Sequence, residues 1–436
     1  MKIKTSITML SIPILCSLPM ISCVEHTLKN SEAISENKLT SVALQDFNAI
    51  TNSNSNEVLF KRYVEDTNGV KYLVVVYKNG GYSLINKTTQ VIQEVSPTSK
   101  MLNNYNDDKY ELKYKGFGQF DYYKKERDCR SCGLKDSEKS PGNGKGRPTQ
   151  PIEQPKDPWH RTGKMINAPY EVEHSWWFKL ANGKKIGYTS GSWTSPYDPN
   201  TKDRRSSATP GYYSENGVCG YIGVGTLLMY NEIFKKAGYF NDFEYKNYVA
   251  QNKLEFYNRP SFSNIQNSFP DLNPQFLKNL YERTWFSQGI DRWWQLSQIV
   301  DAALTFKKGL NYEKVGQYSI FGDPFYWIEK RKQPLIFAGY YGATFDANGK
   351  LEGRPSAHIV TVYGAYNPTR FLCNLNWTSN EDNQLILNMD TYTHGMYFGL
   401  ISNDGPSEKL RTYFEYKGKK YTGPEFGKVL SNLGMF

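Results

Sequence analysis

The chain has 436 residues, of which 39% are hydrophobic and 22% charged, and its formal net charge is +10. At roughly 100–200 residues per domain, this length predicts two or three domains with sizeable cores. Gly and Pro, at 35 and 21 residues, are too few for a collagen-like chain, and the apolar content excludes a wholly disordered one. Tyr, Phe and Trp together reach 15%, a heavy supply of ring surface for a core or a binding groove.

Lys2 and Lys4 precede an apolar stretch, Ile7 to Ile21, which Pro13 and Pro19 interrupt. Such a stretch is too broken for a spanning helix and fits a secretory signal. Met20-Ile21-Ser22-Cys23 resembles a bacterial lipobox. That resemblance implies removal of residues 1–22, lipidation of Cys23, and an extracytoplasmic chain anchored to the outer face of a cell membrane. Losing Lys2 and Lys4 with the signal lowers the net charge by two. The other basic residues are dispersed, apart from short clusters at 124–128 and 202–205, so no nucleic-acid partner is expected.

Residues 23–55 are rich in Ser, Asn, Glu and Thr and read as a flexible tether. Residues 56–114 carry β-rich runs, among them Phe60 to Val64, Lys71 to Tyr77, Gly81 to Ile85 and Gln90 to Val95. Asp66-Thr-Asn-Gly69 and Lys78-Asn-Gly-Gly81 separate three of them with hairpin turn chemistry, which predicts a small antiparallel β domain. Residues 115–164 are dominated by Lys, Gly, Pro and Gln and read as an exposed linker. Residues 165–436 form the larger domain, with helices and strands alternating early and mostly strands at its end.

Its strongest local signal lies around Gly217-Val-Cys-Gly-Tyr221, where an apolar run of helical length begins at Cys219. A helix apolar on nearly every side is a buried one. Cys219 falls in its first turn, where unpaired amides and the macrodipole favour the nucleophilic thiolate. Downstream, Ser356-Ala-His-Ile-Val-Thr-Val-Tyr-Gly364 places His358 at the start of an apolar strand. Arg370-Phe-Leu-Cys-Asn-Leu-Asn-Trp377 predicts the next strand, with Asn374 and Asn376 on one face because strand side chains alternate. His358 lies 139 residues after Cys219, and the two asparagines follow it by 16 and 18. Cysteine, histidine and amide side chains in this order supply a nucleophile, a base and an orienting group.

This arrangement resembles the papain-like cysteine peptidases, most closely the bacterial branch containing streptopain and the staphopains. The resemblance extends over about 200 residues and implies an α+β domain in which a central buried helix packs on an antiparallel sheet. It implies Cys219 as nucleophile, His358 as general base, and Asn376, beside Trp377, as third member, with Asn374 as the alternative. The family usually carries Gln six residues before the nucleophile; Tyr213 stands there, so Tyr213 or Asn216 is the candidate oxyanion donor. The β domain is similar to the pro-segments of streptopain-like zymogens, which implies a latent precursor. The implied activity is endopeptidase cleavage of extracellular proteins, host proteins among them, through a Cys219 thioester, with no cofactor and no metal. Another Cys–His acyl-transfer enzyme, such as an amidase or transglutaminase, and an inactive binding or adhesin lipoprotein are the rival readings.

Cys129-Arg-Ser-Cys132 is a lone CxxC, and a structural zinc requires four ligands. A local disulfide between Cys129 and Cys132 is the expectation outside the cytoplasm. Cys373 and His174 read as structural. Trp176, Trp177, Trp377 and Tyr397 are candidates for a peptide groove, with core packing the commoner role. No serine-hydrolase elbow, HExxH or Walker A sequence is present. The oligomeric state is left open.

Overall fold

A computed structural model describes residues 35–66, 69–106, 110–124, 167–180, 218–250, 255–261, 265, 269–284, 293–318, 323–341, 344–345, 351–352, 356–376, 384–391, 393–405 and 409–435. The N-terminal part comprises α1 (Glu36–Thr51), β1 (Val58–Asp66), β2 (Lys71–Tyr77), β3 (Tyr82–Asn86), β4 (Ile92–Ser96), β5 (Tyr110–Gly116) and β6 (Gln119–Lys124). The C-terminal part begins with β7 (Tyr170–Glu171), α2 (Trp176–Leu180), α3 (Val218–Phe234) and α4 (Asp242–Tyr248). Three short strands follow, β8 (Val249–Ala250), β9 (Glu255–Phe256) and β10 (Asp271–Leu272), and then α5 (Pro274–Thr284) and α6 (Trp293–Leu304). Next come β11 (Tyr312–Tyr318), α7 (Pro324–Glu329), β12 (Leu335–Tyr341), β13 (Thr344–Phe345) and β14 (Leu351–Glu352). The chain continues through β15 (Ser356–Asn367), β16 (Arg370–Asn374), β17 (Gln384–Asn388), β18 (Thr393–Ser402), β19 (Tyr413–Tyr416) and β20 (Lys419–Thr422) to α8 (Gly423–Asn432).

The class is α+β, built on a 13-stranded sheet in which antiparallel pairing dominates. Its order is β11-β18-β12-β15-β16-β17-β4-β3-β2-β1-β5-β6, with β7 paired to β15. The one parallel pair in that order is β1 with β5. Strands of both parts therefore belong to one sheet, joined where Ile386 and Leu387 of β17 pair with Val95 and Glu94 of β4.

The tether expected over 23–55 gives way to helix from Glu36 onward. Ser35 caps it, its hydroxyl accepting from the Lys38 amide at 3.4 Å. Leu39, Ala43, Phe47 and Ile50 are buried at spacings of four, four and three, one stripe of a helix. Phe47 stacks on Tyr77 of β2 with ring centroids 3.8 Å apart. Polar composition hid this period, because a one-sided helix needs only one apolar residue per turn. The β unit also runs past its expected end at 114: β5 and β6 carry it to Lys124, into the segment read as linker. Phe117, between Gly116 and Gly118 at the tip of that hairpin, is fully buried, and Gly118 takes a φ of +73° that a side chain resists.

In the C-terminal part, α3 packs on the sheet face formed by β12, β15 and β18. Gly223 permits the approach: a Cβ there would lie 3.1 Å from Ile336 and 3.5 Å from Ile359. Asn231, buried on α3, donates to the Leu400 carbonyl of β18 at 3.1 Å and locks the helix lengthwise. Glu232 is likewise buried and accepts from Arg411 Nε at 2.7 Å and from the Gly238 and Phe240 amides. These bonds offset part of the cost of taking a carboxylate out of water, and desolvation still leaves its pKa raised. Trp176, Trp177 and Tyr397, the groove candidates, are buried in the aromatic core. Among the described residues, no helix is long and apolar enough to cross a membrane.

Candidate functional site

Cys219 is the second residue of α3 and is 6% exposed. The nearby main-chain amides of Ile359 and Gly220 favour its thiolate form. Ile359 is the next residue after His358, so the thiol is seated against the strand that carries the imidazole. His358 pairs in register with Gly339 of β12, a neighbour without a side chain, and is 3% exposed. Backbone packing of helix on sheet thus places the helix of Cys219 on the strand that carries His358, 139 positions later.

His358 Nε2 lies 3.0 Å from the Leu375 carbonyl. A carbonyl only accepts, so Nε2 carries the hydrogen and Nδ1 is left as the ring's acceptor. Asn374 and Asn376 stand on either side of Leu375, both buried. Asn374 ends β16, whereas Asn376 lies beyond it with φ +58°, so the two do not share the face of one strand. Asn374 Nδ2 donates to the Phe178 carbonyl at 2.8 Å, and Asn376 Nδ2 to Thr361 Oγ1 at 2.8 Å.

Burial governs the electrostatics. The Cys219 thiol is pushed up to about 11 by desolvation, which outweighs the amides that favour the thiolate. The thiolate expected from the helix terminus is therefore not the form that burial favours. Desolvation also pushes the His358 imidazole down to about 4, against the Leu375 carbonyl that favours its charged form. Both groups are therefore neutral near pH 7, and among the described contacts no hydrogen bond joins them.

The cover is Phe117. Its ring stands edge-on to the imidazole with centroids 5.4 Å apart and planes at 66°. Glu94 of β4, 1% exposed, holds the hairpin that presents it. The carboxylate accepts from Tyr82 hydroxyl at 2.9 Å, Tyr114 hydroxyl at 2.7 Å and the Gly118 amide at 3.2 Å. A second clasp lies outside the site, where Arg370 of β16 forks onto Asp46 of α1 at 2.6 and 3.0 Å.

Sequence reasoning missed Phe117, Leu375 and Thr361. Gly116-Phe-Gly118 carries a usable signal, a turn with one aromatic at its tip, but Leu375 acts through a main-chain atom that any residue possesses. Tyr213, Asn216, Cys23, Cys129, Cys132 and Trp377 lie outside the described residues. Cys373 is fully buried. His174 stacks on Phe234 at 4.7 Å and contacts Glu173 at 3.1 Å. Among the described residues, no group of three or more His, Cys, Asp or Glu is placed to hold a metal ion.

Neither protein-family models nor the curated proteins give a match to the chain.

Proposed function

We propose that the chain is a papain-like cysteine endopeptidase made as a latent precursor and, through Cys23, anchored by lipid outside the cell. One observation carries the reading: the Cys219 sulfur, in the first turn of a buried helix, rests on the amide adjoining His358. Phe117 on the imidazole supports latency, because an apolar ring there keeps water from the group whose charge water would stabilise.

Withdrawal of Phe117 admits water, which lowers the thiol and raises the imidazole. The Sγ–H bond breaks, the proton passes to the imidazole nitrogen, and the thiolate attacks a peptide carbonyl carbon. Amides of the first turn of the helix are the kind of donor that stabilises the developing oxyanion, beside the candidates Tyr213 and Asn216. The imidazolium then returns its proton to the departing amine and leaves a Cys219 thioester. His358 next takes a proton from water, and hydroxide attack releases the acid and restores the thiol. Extracellular polypeptides are the substrate class, consistent with the surface anchor.

The test is alkylation of the full-length chain by iodoacetamide, before and after limited cleavage between residues 125 and 166. Wild type is expected to label at Cys219 faster after cleavage, and Cys219→Ala not to label, with buried Cys373 as the internal control. Absence of Cys219 labelling under every cleavage condition leaves a binding lipoprotein as the reading. Labelling together with hydrolysis of small amides but not of proteins leaves an amidase.

A further inference from the structure

The turn that closes β16 presents a main-chain atom, not a side chain, to the imidazole. The Leu375 carbonyl is 3.0 Å from His358 Nε2, in a region closed to solvent. The residues flanking Leu375 are pinned on three sides. Asn374 Nδ2 donates to the Phe178 carbonyl of α2 at 2.8 Å, and Asn374 Oδ1 accepts from the Asn376 amide at 2.9 Å. Asn376 Nδ2 donates to Thr361 Oγ1 at 2.8 Å, on the same strand as His358. Asn376 also takes φ +58°, a left-handed conformation that Asn tolerates better than other residues with side chains. Its φ fixes the plane of the Leu375–Asn376 peptide and hence the direction of the carbonyl.

We propose that the group orienting His358 is the main-chain carbonyl of Leu375, and that Asn374 and Asn376 are positioning residues that hold it. The inference rests on the reading of His358 as general base. The carbonyl keeps the hydrogen on Nε2, so the other nitrogen takes the thiol proton: the S–H bond breaks, an N–H bond forms, and thiolate and imidazolium remain. The carbonyl stabilises the imidazolium as a dipole and accepts no proton. This divides the work between the two asparagines instead of selecting one.

The experiment measures the His358 tautomer directly in the full-length chain. The protein is labelled with 15N-histidine; it has five histidines, and comparison with His358→Gln assigns the relevant signal. Wild type and Asn376→Gly, which keeps the left-handed turn at no steric cost, are expected to show the Nε2–H tautomer at neutral pH. Asn376→Ala, which places a Cβ there, is expected to lose the single tautomer. After linker cleavage, its Cys219 alkylation should slow about tenfold, with an altered pH profile, while Asn376→Gly stays within about threefold of wild type. Thermal melts of both variants confirm that they are folded. Asn376→Gly losing the tautomer like Asn376→Ala, while Thr361→Val keeps it, shows that the amide side chain holds the ring by itself and overturns the proposal. Asn376→Ala matching wild type overturns it as well. If Cys219 fails to alkylate even in wild type, the peptidase reading falls, while the tautomers still decide which group holds the ring.

Discussion

Phe117→Ala should convert a latent chain into a reactive one without any cut in the backbone. The ring is fully buried and edge-on to His358 at 5.4 Å. Removing a buried phenylalanine costs about 3–5 kcal/mol. Phe117 sits where the hairpin meets the strand that carries His358, so about half of that, roughly 1.5–2.5 kcal/mol, is assigned to the contact between the two parts. At about 1.4 kcal/mol per factor of ten, the fraction of molecules with an uncovered imidazole rises roughly 10- to 60-fold. The assay is the rate of Cys219 alkylation in chains shown by mass to be uncut, with thermal melting alongside. Leu73→Ala serves as control, because Leu73 is fully buried in β2 and the substitution loosens the same unit elsewhere. Equal acceleration by the two variants, or none in Phe117→Ala, refutes the idea that this ring is the cover.

Two further outcomes follow from the same geometry. Asp46→Ala leaves Arg370 without its fork, and both partners are mostly buried, so docking should weaken by about 1–3 kcal/mol. A double-mutant cycle with Arg370→Ala, read by alkylation rate, should give a coupling of about 1 kcal/mol or more; zero coupling shows the fork to be ornamental. Stability should also narrow at both ends of the pH scale. The folded imidazole titrates near 4, below its unfolded value of about 6.5, so the unfolded chain binds more protons and stability falls as pH drops through that window. The folded thiol titrates near 11, above the unfolded value of about 9, so stability falls again as pH rises between them. Each limb is worth up to about 3 kcal/mol. Urea midpoints of wild type at pH 4.5, 7.5 and 10 should therefore peak at 7.5. His358→Ala should flatten the acid limb and Cys219→Ser the alkaline one; an unchanged acid limb in His358→Ala contradicts the burial argument.

The helix that carries Cys219 was legible because its apolar content is continuous, and His358 because it opens an uninterrupted β-branched run. Period and composition suffice for such elements, since burial on every side demands apolar residues throughout. Helix α1 was harder to read: four buried residues in sixteen leave most of the segment polar, and only the three- and four-residue spacing separates it from a tether. The joining of β4 to β17 had no sequence signal, because main-chain hydrogen bonds are made by any residue.

By itself, the sequence singled out the candidate nucleophile and base, Cys219 and His358, because nucleophilic and basic side chains are identified by type. It also determined the β-rich unit ahead of them. Only the tertiary structure decided the state of those groups. Desolvation depends on what lies over a side chain, and here burial pushes the thiol up and the imidazole down, with Phe117, from the hairpin beyond the expected domain edge, packed on the imidazole. It also decided that the atom facing His358 belongs to Leu375, since the direction of a carbonyl is set by backbone torsions that no residue name records.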